Sequence, residues 1–208
     1  FKETAPHAYQ LNNPYIVAQQ MIEKILEDVY RVDDYWQITN LRLGNVIGAH
    51  PSAELGEWTP PLPNSVLPYL LQVAAGQRDI FDLYHHDLDT TDGTSERSYL
   101  HVMDVAEAVY KLMLWSGEQQ NYLKHINVNH PEITSLKQLI AKVEDATEAK
   151  ILIENYPHST AELSQMKGDI SVLQQLIEWT PKYDLTQMIE HQWTYYQNHI
   201  SKKTLPSR

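Results

Sequence analysis

Two hydrophobic periodicities take turns along this chain, and that alternation limits the fold more than any other feature. From Pro14 to Val32 the apolar residues Ile16, Ile22, Ile25, Leu26 and Val29 recur at helical spacing. Asn12-Asn13-Pro14 supplies a start, since proline is tolerated in a first turn. From Gln37 to Leu43 the spacing changes to every second residue, which predicts a strand ending near Gly44. The switching continues. Helices are expected over Asn64 to Gly76, Val105 to Trp115, Ser135 to Thr147, Asp169 to Trp179 and Leu185 to Ile200, the second capped by Asp104 and the third by Thr134 or Ser135. Strands are expected over Ile80 to Tyr84, Arg97 to Val102, His125 to Val128 and Lys150 to Glu154, with loop from His50 to Leu62. Such alternation favours an α/β or α+β layout. At 208 residues the chain can remove roughly 70% of its unfolded surface from water.

Several partner classes are disfavoured by composition. A net charge of −11 without a Lys/Arg stripe argues against nucleic acid and acidic membranes. No apolar run approaches the ~20 residues of a membrane helix. There is no cysteine, hence no disulfide, zinc-thiolate site or cysteine nucleophile, which fits a cytoplasmic protein. The first residue is Phe1 rather than Met, which reads as a piece of a longer protein. The densest histidine cluster, His85-His86-Asp87 with Asp89, reads as a solvated loop, because adjacent strand residues point to opposite faces; no metal site is expected. His191 and His199, eight apart on the last helix, read as surface patterning, while Trp193 and Tyr196 read as packing residues.

Five tracts in order carry a family resemblance: PYIVAQQMIEKIL, LRLGNVIGAHPSAELGE, LPNSVLPYLLQVAAGQRD, DGTSERSYLHVMDVAEAV and DISVLQQLIEWTP. Together they resemble the carboxy-terminal half of UDP-glucose/UDP-galactose 4-epimerases, of the extended short-chain dehydrogenase/reductase family. The resemblance implies an α/β fold: the end of a Rossmann-like sheet followed by a smaller mixed α/β substrate-binding lobe. Residues 1–208 would then be a single substrate-side domain, with the amino-terminal NAD-binding Rossmann part absent. In the family, NAD is held by a glycine-rich strand-to-helix turn. The seven glycines here form no such cluster; Gly44 and Gly48 belong to a different tract. NAD is therefore expected in the full-length family and not on this chain alone. Missing sheet neighbours would leave open edges, and a homo-oligomer using the helix from Pro14 to Val32 would be one remedy.

The resemblance also implies site residues. The family's Y-x-x-x-K pair falls on Tyr15 and Gln19. Tyr15 would be the base that takes the proton of the sugar 4-hydroxyl, or else an ordinary first-turn aromatic. Gln19 brings no full positive charge where a lysine is expected, so phenolate would be poorly stabilised. Each pKa unit left unshifted costs about tenfold in base form, so slow epimerisation is expected. For the UDP-sugar, the resemblance points to Asn45, Asn64, Ser65 in place of a second asparagine, Leu83 and Tyr84 beside the uracil, and Arg97 on the diphosphate. Asp82 departs from the family in charge, and Arg97 has a second reading as a surface ion pair with Glu96, Asp92 or Asp104. A second family arginine is missing between Tyr156 and Met166; His158 is its nearest match, Glu162 falls near a ribose-binding aspartate, and Met166 replaces an aromatic. Three functions follow as expectations: the substrate side of a UDP-hexose 4-epimerase of galactose metabolism, a non-catalytic sugar-nucleotide binder, or a structural remnant without ligand.

Overall fold

A computed structural model describes residues 1–4, 14–33, 35–57, 63–84, 87–157 and 163–200. Helix α1 spans Pro14–Val32 and strand β1 spans Gln37–Leu43, both with the bounds that periodicity predicts. β1 pairs in parallel with β6, Tyr122–Val128, from Gln37 opposite Tyr122 to Leu43 opposite Val128. At Gly44 the ladder changes partner. The Gly44 N–H still donates to Val128 O, whereas the Asn45 N–H donates to Ser98 O. The chain then continues as β2, Asn45–Ile47, parallel to β5, Tyr99–His101.

The expected strand from Arg97 to Val102 is two pieces. β4 is Glu96–Arg97, flanked by β7, Thr134–Ser135, and β9, Gln165–Met166. Ser98 interrupts the run: its N–H donates to Met166 O, its carbonyl accepts from Asn45, and its hydroxyl donates to His130 O. Val102 already belongs to helix α3, Val102–Ser116. Asp104 does not cap α3. His101 occupies the cap position, and its ring nitrogen accepts the Met103 N–H at 3.0 Å. Asp104 instead turns into the core, where its carboxylate accepts the N–H groups of Lys182 and Tyr183.

Helix α2, Val66–Ala74, is shorter than expected and ends as the glycine at position 76 suggested. Gly76 has φ +69, its N–H reaches Val73 O and that of Gln77 reaches Gln72 O, the paired bonds of a Schellman stop. Strand β3, Phe81–Leu83, pairs with β8, Ile153–Asn155. Helix α4, Leu136–Thr147, starts at a full capping box of Ser135 and Gln138. Helix α5 is only Ser171–Leu176, and α6 is Leu185–Ile200 as expected.

Two cores result. Leu67, Leu70 and Leu71 of α2 meet Leu139, Ile140 and Val143 of α4 and Met188, Ile189 and Tyr196 of α6. Trp193 packs against the same cluster, so the aromatic end of α6 is a packing surface, as its spacing predicts. Leu100, Ala108, Leu112, Ile126, Val128, Leu173 and Trp179 form the second core. α1 contributes to neither. It is held to the β1–β6 pair by Glu23, which takes a forked bond from Arg42 at 2.7 and 2.8 Å, while Met21, Ile22 and Ile25 stay exposed. Periodicity identified an apolar face; among the described residues that face is largely uncovered.

Candidate functional site

The residues singled out from sequence lie on three groups of elements. Tyr15 and Gln19 are both exposed on α1, one helical turn apart and so on one side of the helix. Asn45 is exposed at the start of β2, opposite Tyr99 in the β5 register. Arg97, two residues before Tyr99, closes β4. Asn45 and Arg97 thus lie on two different sheets that meet at Ser98, whose carbonyl accepts the Asn45 N–H. Arg97 is 8% exposed, and its guanidinium donates to Glu96 O at 2.9 Å and Ser164 O at 3.4 Å. Its low exposure places it inside the fold, against the β9 side of β4.

Asn64 and Ser65 stand exposed ahead of α2. Ser65 takes the cap position without a side-chain cap; its hydroxyl turns to Glu57 Oε1 at 3.5 Å. Leu83 is buried in β3, while Tyr84 is half exposed with its ring 5.5 Å from that of Tyr156 and tilted by 33°. Asp82 faces Glu154 across the β3–β8 register. The Tyr156 hydroxyl is pushed up to about 12, first by its hydrogen bond to Glu154 and further by the charge of Asp82. This corner offers aromatic faces beside carboxylates. It suits an uncharged planar group better than an anion. His158, Glu162, His85 and His86 lie outside the described residues.

Among the described residues no group of three or more His, Asp or Glu could hold a metal ion. The Gly44–Gly48 segment does not fit a pyrophosphate cradle either. Its N–H groups at Gly44, Asn45 and Gly48 are already given to Val128 O, Ser98 O and Gln192 Oε1. No described helix is long and apolar enough to cross a membrane.

One constellation was missed by sequence reasoning. His191 is not surface patterning: its Nδ1 lies 3.0 Å from Nε2 of His101, which is fully buried. Tyr183 stacks on His101 with ring centres 4.1 Å apart. Burial, and then the neighbouring His191, hold His101 down at about 4. Beside it, an open cleft of about 410 Å³ is lined by Val46, Ile47, Gly48, Leu55, Val102 and Met103 among others. The available signal was the histidine one residue before the α3 run, at a position where a short polar cap is usual.

Known proteins share this architecture. The profile of the NAD dependent epimerase/dehydratase family matches residues 1–128. A UDP-glucose 4-epimerase of Neisseria meningitidis serogroup C is 35% identical over 187 residues, 89% of this chain and 55% of the relative. A bifunctional UDP-glucose 4-epimerase and UDP-xylose 4-epimerase 1 of Pisum sativum is 30% identical over 191 residues, 91% of this chain and 54% of its own. The chain thus spans about half the length of these curated relatives. A crystal structure of UDP-glucose-4-epimerase from Stenotrophomonas maltophila, with bound NAD and formylated UDP-arabinopyranose, superposes with a TM-score of 0.90 at 28% identity. It covers 98% of this chain and 60% of that one. The enzyme from Bifidobacterium longum in complex with NAD+ and UDP gives 0.90 at 26% identity, over 96% and 59%.

Proposed function

The chain belongs to the NAD dependent epimerase/dehydratase family, and from that premise we propose that it is the carboxy-terminal, substrate-side part of a UDP-hexose 4-epimerase-like protein of the cytoplasm. One observation carries the epimerase-like part of this reading: the likeness extends over 98% of the chain to an epimerase with a bound UDP-sugar. The absence of any glycine-rich turn from the sequence given and the consumed N–H groups of Gly44–Gly48 support placing the NAD-holding part outside these 208 residues. The uncovered apolar face of α1 is then where that part, or a second copy, would pack.

In the whole protein NAD supplies the hydride chemistry. The residues here bind and orient. Tyr84 and Leu83 stand beside the uracil, Arg97 and Asn45 by the diphosphate and sugar, and Asn64 and Ser65 at the start of α2. His158 and Glu162 complete the nucleotide contacts, and Tyr15 takes the proton of the 4-hydroxyl. Gln19 favours a second reading, a sugar-nucleotide binder without turnover, because a neutral amide cannot stabilise phenolate as a cation does. On either reading the chain is inactive by itself.

Calorimetric titration of the 208-residue chain with UDP tests the proposal. Binding between micromolar and low millimolar is expected. It should weaken roughly ten- to a hundredfold in Arg97→Ala, the effect of one charged hydrogen bond, with Asn45→Ala as a second variant at an exposed position. Thermal melts establish that both variants fold. No heat at millimolar UDP, or binding indifferent to both substitutions, removes the sugar-nucleotide claim for this chain and leaves the fold.

A further inference from the structure

Where α6 crosses the β5–α3 junction, two imidazoles are locked in one direction of hydrogen bonding. His101 Nδ1 accepts the Met103 N–H at 3.0 Å, so the ring proton of the neutral form sits on Nε2. That N–H points at His191 Nδ1, 3.0 Å away, and the rings meet edge to face at 85°. His191 therefore carries its own proton on Nε2. Gln192, the next residue of α6 and also buried, takes the Gly48 N–H at 2.8 Å.

Other titratable groups around the pair have defined tasks. From the segment before α6, Tyr183 stacks on His101 and stands edge-on to His191 at 5.6 Å. From α3, Asp104 is engaged by the N–H groups of Lys182 and Tyr183. No carboxylate is hydrogen-bonded to either ring among the contacts of the described residues. The arrangement works only with the His101 ring neutral. A proton added to His101 Nδ1 would meet the Met103 N–H head on, at the start of α3. That change replaces a bond by two facing donors at a ring that is fully buried.

We propose that the His101–His191 contact is an acid-operated catch: with His101 neutral it holds α6 on the β5–α3 junction; with His101 protonated it releases α6 together with Gly48, the residue after β2. Released, His101 reaches water and takes up a proton readily, so acid favours the open form. The strand end set free continues from Asn45, and the cleft beside Gly48 loses one wall. This device is independent of the sugar-nucleotide reading, since it requires neither UDP nor NAD.

Two measurements on the 208-residue chain test it. Long-range proton–nitrogen NMR of the imidazoles at pH 7.5 should show His101 with a bare Nδ1 and a protonated Nε2. Hydrogen exchange of the α6 amides from Met188 to Tyr196, corrected for intrinsic rates, should show an opening constant that rises about tenfold per pH unit below ~6.5, as uptake of one proton requires. The β1–β6 amides should change less, and His101→Gln should flatten the α6 dependence. A proton on His101 Nδ1, an α6 response equal to that of β1–β6, or an unchanged slope in His101→Gln overturns the proposal. Should His101→Gln fail to fold, the ring protonation and the α6-against-β1–β6 comparison decide it in the unsubstituted chain.

Discussion

Replacing Gly48 by alanine should be among the more damaging single-methyl additions to this chain. Gly48 has φ +90, a conformation that side chains rarely adopt. A Cβ there would stand 3.0 Å from both Cδ2 and Nε2 of His101. His101 cannot yield easily, because both ring nitrogens are committed and Tyr183 covers its face. The backbone strain is worth about 1–2 kcal/mol, and overpacking of a closed site adds about 1–3 kcal/mol. The expected loss is therefore about 2–5 kcal/mol, or a fall in Tm of roughly 5–15 °C for a chain of this size. Urea unfolding with Gly76→Ala alongside separates the two contributions. Gly76 has a similar φ, +69, but open space where the methyl would go, so it should lose the strain alone, about 1–2 kcal/mol. Equal losses at the two positions would refute the claim that His101 is held rigidly against Gly48.

Acid should weaken the whole fold as well as α6. The His101 value falls from 6.5 to about 4 on folding, so its contribution is fully present above ~6.5 and is lost as pH falls from there toward 4. Between pH 6.5 and 5 the loss is about 2 kcal/mol; urea unfolding at both pH values should show it, and a His101→Gln variant with the same pH slope would contradict it. Ser135→Ala should cost about 1–2 kcal/mol, since Ser135 caps α4 through the Gln138 N–H at 3.1 Å and also donates to Asp92. Ser135→Thr should stay within about 0.5 kcal/mol of the parent, and a Ser135→Ala variant as stable as the parent would show that the capping box is not needed.

The long helices were legible because four or five turns of apolar spacing repeat one signal. Hence α1 and α6 have the bounds read from the sequence. The signal says which face is apolar and not what covers it, so the exposure of Ile22 and Ile25 was out of reach. β2, β7 and β9, of two or three residues, are too short to show alternation. Asp104 was misread for a physical reason: an acid in a first turn suits a cap, but here an imidazole one residue before the helix took that task and left the carboxylate to bind Lys182 and Tyr183. His191 was misread because its partner, His101, is distant in sequence. Asn45 and Arg97 were named from resemblance alone; their approach across Ser98 is a product of the Asn45–Tyr99 register, which no local pattern encodes.

The parallel pairing of β1 with β6 also sets a time order for making the protein. Asn40 and its register partner His125 are 85 residues apart. At the ~5–20 residues per second of ribosomal synthesis, β1 is without that partner for roughly 4–17 s after it is made. During that interval its apolar residues Ile38, Leu41 and Leu43 and its N–H and C=O groups await a strand not yet translated. Synthesis order thus leaves β1 as an open strand edge for seconds, the interval in which pairing with other chains competes with folding.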